Sequence, residues 1–143
     1  ISPAMKIAAK LLLLTGQRRG ELVLAEWAHV DLQANLWTIP SELSKNGKPH
    51  LVSISPPVKA LFEQLHELAN GSRYLFPSSR PHFDQPCDIL ALNKALSKVT
   101  SAASIDGCSP HTLRHTFSTL ASQMGIQLHV IEKVLNHSLV LLC

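Results

Sequence analysis

Histidine and arginine recur at helical spacing in Ser109-Pro110-His111-Thr112-Leu113-Arg114-His115-Thr116-Phe117. Ser109 has an N-cap side chain, and Pro110 suits the first helical position, where a missing N–H costs nothing because that donor has no partner in the helix. His111, Arg114 and His115 then lie three and four residues apart on one helical face, within a turn of the positive end of the dipole. Such a face can meet an anion, and the planar fork of Arg114 can hold two oxygens of a phosphate. A solvated basic face has the same pattern, so this stretch alone leaves both readings open.

Three further cationic clusters raise the same question. Arg18-Arg19 stands at a helix start, an unfavourable place for cations beside the dipole. Lys45 and Lys48 flank Asn46-Gly47, where they could equally be solubilising turn residues. His137 follows the last helical pattern and could be a helix-end cap. The i, i+4 pair His111 and His115 has a spacing that can hold zinc. No glutamate follows the first histidine as in H-E-x-x-H, however, and Arg114 between them would repel the ion, so no metal is expected.

The elements that must aim these residues follow from hydrophobic period. The chain of 143 residues is 45% hydrophobic and 16% charged, which describes one globular domain with a real core. A formal charge of +3 with eight histidines does not by itself call for a nucleic-acid partner, so placement of the cations decides. A buried helix is expected over 3–14, stopped at Thr15-Gly16, with Lys6 and Lys10 outward, and a second over about 18–27 with Leu22, Val23 and Trp27 inward. His29 to Leu32 reads as a linker into strands at 36–39 and 51–54, joined through a tight Asn46-Gly47 turn with basic tips. Helices are then expected from Pro56 to about Ala69, with Val58, Leu61, Phe62, Leu65 and Leu68 inward; from about Asp88 to Ala103, with Ile89, Leu92, Leu96 and Val99 inward; from Pro110 through Phe117, Leu120 and Met124 to Gly125; and from about Leu128 to Asn136. Tyr74-Leu75-Phe76 reads as an apolar anchor in the Pro/Ser-rich loop over 71–87.

Cys87, Cys108 and Cys143 are odd in number and lack CxxC spacing, which suits a reducing cytoplasm rather than a disulfide framework. The run from Ala8 to Leu14 is too short to cross a bilayer, and no cleavage signal follows it. Starting at Ile1 and ending in the apolar run Leu139 to Cys143, the chain reads as a piece of a longer cytoplasmic protein.

Taken in order, Thr15-Gly16-Gln17-Arg18-Arg19-Gly20-Glu21-Leu22, then Lys45, then His111-x-x-Arg114, then Leu135-Asn136-His137-Ser138 resembles the catalytic domain of the tyrosine recombinases, the phage integrase family. The first stretch is similar to T-G-x-R-x-x-E-L, and the last to an L-G-H box with Asn136 in place of glycine. Tyr74-Leu75-Phe76-Pro77-Ser78 and the segment from Trp27 to Asp31 point to the integrases of prophages and genomic islands. The resemblance implies an α+β, mainly helical fold with a small three-stranded antiparallel sheet. It also implies a tyrosine hydroxyl that attacks a DNA phosphodiester to form a 3′-phosphotyrosyl link, without metal, nucleotide or other cofactor.

By that resemblance Arg18 and Arg114 hold the nonbridging oxygens, Lys45 protonates the leaving 5′-oxygen, His111 serves as base or donor near the nucleophile, and His137 donates to a phosphate oxygen. Glu21 supports them, and Arg19, Lys48 and His115 are candidates for further phosphate contacts. The implied partners are a double-stranded recombination site, three more copies of the full-length protein in a homotetramer, and accessory excision or DNA-bending proteins, in the bacterial nucleoid. The family's tyrosine lies nine or ten residues beyond the histidine of the L-G-H box, past the last residue here, and Tyr74 is the one tyrosine in the chain. Binding without cleavage is therefore expected of these 143 residues, which would lack the arm, core-binding and tyrosine segments. A non-catalytic DNA-binding module that kept the phosphate pocket is the alternative.

Overall fold

Ser2 caps the first helix by accepting a hydrogen bond from the Met5 N–H, and Pro3 at its first position presets the backbone. In a computed structural model that describes residues 2–79 and 84–137, helix α1 (Pro3–Thr15) buries Ile7, Ala8, Leu11 and Leu12. Gly16 ends it at φ 70°, left-handed, with its N–H returning to the Leu12 carbonyl. Around α1 pack α2 (Arg19–Val23), α3 (Pro56–Ala69), α4 (Ala91–Ala102) and α5 (Pro110–Gln123). The last helix, α6 (Leu128–Val134), rests on α5.

A three-stranded antiparallel sheet, ordered β1 (Val30–Asp31), β2 (Leu36–Ile39) and β3 (His50–Ser53), forms the non-helical part. Trp37 opposite Val52 sets the register, so Trp37, Ile39 and Val52 enter the core while Leu51 stays on the solvent face. Trp37 and Trp27 both meet the Phe62 ring edge-on, which ties the sheet to α3. Most buried side chains belong to one cluster around α1, α3 and the sheet. A smaller cluster of Ala121, Ile131 and Leu135, with Phe117, holds α6 to α5.

Several elements depart from the sequence pattern, each for a local reason. The second helix stops at Val23, because the Ala25 carbonyl accepts the Leu75 N–H and the Trp27 N–H donates to the Arg73 carbonyl. Tertiary pairing with the Tyr74 segment thus replaces another helical turn, and Trp27–His29 form a 3-10 turn instead. The expected linker at His29 to Leu32 contains strand β1, fixed by Asp31 Oδ1 accepting the Gln33 and Ala34 N–H groups.

No tight Asn46-Gly47 hairpin joins β2 and β3, since the strands end at Ile39 and resume at His50. Gly47 instead closes a turn onto the Ser44 carbonyl within a longer loop. Leu68 (48% exposed) and Val99 (43%) face outward, replaced inside by Ala69 and Ala95, and Leu120 and Met124 of the α5 pattern are exposed too. Helix α4 begins at Ala91 after Ile89, and α6 ends at Val134, before Asn136. Cys87 and Cys108 are free thiols, and burial together with Asp88 pushes the Cys87 thiol up. Cys143 and the apolar run from Leu139 lie outside the described residues.

Candidate functional site

A cleft of about 660 Å³ opens between α2, the β2–β3 loop, the N-terminus of α5 and the end of α6. Arg18, Arg19, Lys45, Arg114, His111 and His137 line it, and Glu21 is the carboxylate among its lining residues. A cleft with so many cations facing one buried acid favours an anionic ligand.

Arg18 enters through its backbone as much as its charge. It is the extended N-cap of α2 (φ −79°, ψ 146°), and its carbonyl accepts the Leu22 N–H. Its guanidinium lies 3.4 Å from Glu21 Oε1, with the Arg18 side chain 24% exposed and that of Glu21 3%. The same Oε1 receives the Lys45 backbone N–H at 3.4 Å, so Glu21 connects α2 to the β2–β3 loop. Glu21 Oε2 is buried with no hydrogen-bond partner among the described residues.

Arg114 is 6% exposed, and its fork is fixed from behind. Its Nη1 donates to the Gly16 carbonyl at 3.0 Å and its Nη2 to the Leu135 carbonyl at 2.7 Å, both orphan acceptors near helix ends. Among the described residues its remaining N–H groups have no hydrogen-bond partner and can serve a ligand. Burial foremost, and the nearby Arg18 charge, lower the Arg114 pKa to about 10 against the opposing pull of Glu21 and Glu132. Two guanidiniums held this close without a full counter-charge form a site in which an anion relieves repulsion.

His137 reaches the cleft through the end of α6. Its N–H returns to the Glu132 carbonyl and the Asn136 N–H to the Lys133 carbonyl, while Asn136 takes φ 55°, the pattern of a Schellman C-cap. Asparagine tolerates that left-handed position, which accounts for its standing where the motif has glycine. The His137 Nδ1 pairs with Glu132 Oε2, which leaves Nε2 as the ring nitrogen that can serve a ligand.

The expected basic face of α5 is divided. The capping box between Ser109 and Thr112 starts the helix as the sequence requires. Arg114 then turns inward, while His111 and His115 stay exposed with their Nε2 atoms 3.0 Å apart, one ring donating to the other. His111 lines the cleft and His115 does not. Arg19 lines it with Nη1 bound to Asn93 Oδ1 of α4 at 2.6 Å. Lys48 lies in an adjoining hollow with His50, His129 and Lys133.

Sequence alone marks Gly16 as a helix stop and motif glycine but not as a packing point, and it does not mark Gln17 as a positioning residue. Gln17 is 1% exposed, and its Nε2 donates to the Thr15 and Val134 carbonyls, which joins the loop after α1 to the end of α6. Gly16 leaves no room for a Cβ, which would stand 2.5 Å from the Phe117 ring. The Gly16 crowding becomes visible only once α5 and α6 have docked. No periodic or motif signal marks a buried glutamine.

Comparison with known proteins gives a consistent result. A family model described as Phage integrase family matches residues 2–140. The prophage integrase IntA of Escherichia coli strain K12 is 33% identical over 126 residues, which cover 87% of this chain and 29% of that protein. The tyrosine recombinase XerA of Saccharolobus solfataricus is 31% identical over 132 residues, 92% of this chain and 41% of the relative. The chain thus spans less than half the length of these curated relatives. Among solved structures, a XerA recombinase crystal structure superposes with TM-score 0.74 at 24% identity, covering 96% of this chain and 56% of that one. A lambda integrase tetramer bound to a Holliday junction superposes with TM-score 0.77 at 18% identity, covering 96% and 41%. These superpositions speak for the fold.

Proposed function

Because the chain belongs to the phage integrase family, we propose that its cleft holds the scissile phosphate of a DNA recombination site and that these residues form the catalytic domain of a site-specific recombinase. The observation that carries the reading is the convergence of Arg18 and Arg114 on one cleft, with the Arg114 fork oriented by two backbone carbonyls.

Phosphoryl transfer between a tyrosine and DNA needs no metal if fixed donors meet the charge that develops on the nonbridging oxygens. Arg18 and Arg114 supply those donors in preorganised form. Lys45, on a loop held to Glu21, is the acid that delivers a proton to the departing 5′-oxygen. His111 accepts or shares the proton of the attacking hydroxyl, and its partner His115 sets which ring nitrogen carries hydrogen. With its Nδ1–H given to Glu132, His137 presents Nε2 to a phosphate oxygen and donates to it in the doubly protonated form of the ring. Arg19 and Lys48 contact flanking phosphates.

The attacking hydroxyl belongs to a tyrosine outside these 143 residues. Tyr74 does not line the cleft; it pairs with Glu26 beneath the Arg73 guanidinium. The chain alone therefore binds DNA without cutting it. The full-length protein acts as a homotetramer on double-stranded DNA in the bacterial nucleoid, with excision or DNA-bending proteins as accessories. Among the described residues no helix is long and apolar enough to cross a membrane.

The deciding experiment incubates the full-length parent with a nicked recombination-site duplex and looks for a covalent protein–DNA adduct. Adduct formation that disappears in Arg18→Ala and in Arg114→Ala is expected. Adduct formation indifferent to both changes overturns the assignment, and no adduct from the intact parent leaves the non-catalytic DNA-binding module as the better reading.

A further inference from the structure

The loop over 40–49 has little of its own to hold it in place. Its backbone N–H groups bond from Leu43 and Ser44 to the Pro40 carbonyl, from Gly47 to the Ser44 carbonyl and from Lys48 to Asn46 Oδ1 at 3.0 Å. The long Lys45–Glu21 contact of 3.4 Å is its link to α2. Its apex nevertheless meets the end of α6 through a closed ring of side chains. Ser44 Oγ donates to Asn46 Oδ1 at 2.9 Å, Asn46 Nδ2 donates to Asn136 Oδ1 at 3.0 Å, and Asn136 Nδ2 donates to Ser44 Oγ at 3.0 Å. Each group both gives and accepts, so each bond polarises the next. Ser44 is buried and the two asparagines half-buried, which limits competition from water.

We propose that Asn136 is a positioning residue that clasps the Lys45 loop to the end of α6 and so sets where the Lys45 amine stands in the cleft. Two requirements meet at this position. The Schellman cap needs a left-handed residue, which asparagine and glycine satisfy, and the clasp needs one donor and one acceptor on a short side chain, which glycine lacks. Asn136 also stands between Leu135, whose carbonyl holds Arg114, and His137 in the cleft. One residue therefore couples the positions of Lys45, Arg114 and His137.

The catalytic meaning of this clasp rests on the recombinase reading, but its physical test does not. The 143-residue chain is compared with Asn136→Gly, which keeps the left-handed backbone unstrained, and with Ser44→Ala and the double variant. Amide exchange over 44–48 should quicken roughly fivefold or more in Asn136→Gly, the loss of about one or two net hydrogen bonds, with exchange in α5 unchanged. The double variant should exchange like Asn136→Gly, which already removes both bonds from the loop to α6, whereas Ser44→Ala keeps the Asn46–Asn136 bond and should quicken exchange less.

Binding to a short duplex supplies the second readout. Lys45→Ala should weaken it in the native background and add little once Asn136 is glycine. Unchanged loop exchange, additive effects of Ser44→Ala and Asn136→Gly, or exchange raised equally throughout α5 would each overturn the clasp. A Lys45→Ala penalty that is the same in both backgrounds would overturn the positioning of Lys45. No Lys45→Ala effect in the native background would count against the proposed function, while the exchange data would still decide the clasp.

Discussion

Arg114 is a buried cation whose fork is held by the Gly16 and Leu135 carbonyls. Truncating it in Arg114→Ala removes the donors from the Gly16 and Leu135 carbonyls, and leaving two buried acceptors unmet costs about 2–4 kcal/mol. Thermal or urea unfolding of the variant measures that loss. Arg114→Lys keeps the charge but loses the fork, and a DNA affinity at least roughly tenfold lower is expected. Its pKa also sets a pH dependence. Folding lowers the Arg114 pKa from the ordinary arginine value to about 10, so at neutral pH both folded and unfolded chains carry the proton and the penalty on the folded state is fully present. Above about pH 10 the folded chain sheds the proton first and the penalty is relieved, so this group's contribution to stability rises with pH. An anion acts in the opposite direction. The rise in Tm produced by inorganic phosphate should hold from neutral pH upward and fade as pH passes about 10, a trend that scanning calorimetry would follow.

At the scale of elements, the cleft depends on how α5 and α6 meet the end of α1. Gly16 is the contact point. An added Cβ would lie 2.5 Å from the Phe117 ring and 2.8 Å from Leu135, and the residue has φ 70°. Gly16→Ala therefore combines about 1–2 kcal/mol of left-handed strain with about 1–3 kcal/mol of overpacking, and a marked fall in Tm with weakened DNA binding is expected. Gly47→Ala provides the comparison. Its φ is similarly positive at 73°, but nothing lies near its Cβ, so it should lose the strain component alone, about 1–2 kcal/mol. Equal losses from the two substitutions would remove Gly16 from its role as the packing point.

For the molecule as a whole, modest net charge and a locally basic cleft together predict the form of DNA binding. On the proposed function, charge at the cleft releases counterions from the DNA backbone, so affinity should fall steeply and log-linearly with salt. Lys48→Ala, outside the cleft in the adjoining hollow, should weaken binding evenly across sequences and reduce the salt slope by about one. Fluorescence anisotropy across a salt series would measure both. An affinity insensitive to salt would exclude phosphate contacts as its main source.

Much of this protein is determined locally. Ser109-Pro110 dictates the start of α5, Thr15-Gly16 the end of α1, and Pro56-Pro57 and Asn70 the limits of α3, because capping and left-handed tolerance act within a few residues of the backbone. Of the residues in the ordered cationic motifs, Arg18, Lys45, His111, Arg114 and His137 line the cleft, while Lys48 and His115 do not. Tertiary structure decided what depends on distant neighbours. The 73–75 segment ended α2 early, Ala69 and Ala95 displaced Leu68 and Val99 from the core, and the inward turn of Arg114 separated it from His111 and His115. Gln17 and the ring of Ser44, Asn46 and Asn136 have meaning only across about ninety or more residues of sequence, where hydrogen bonds form after the helices have packed.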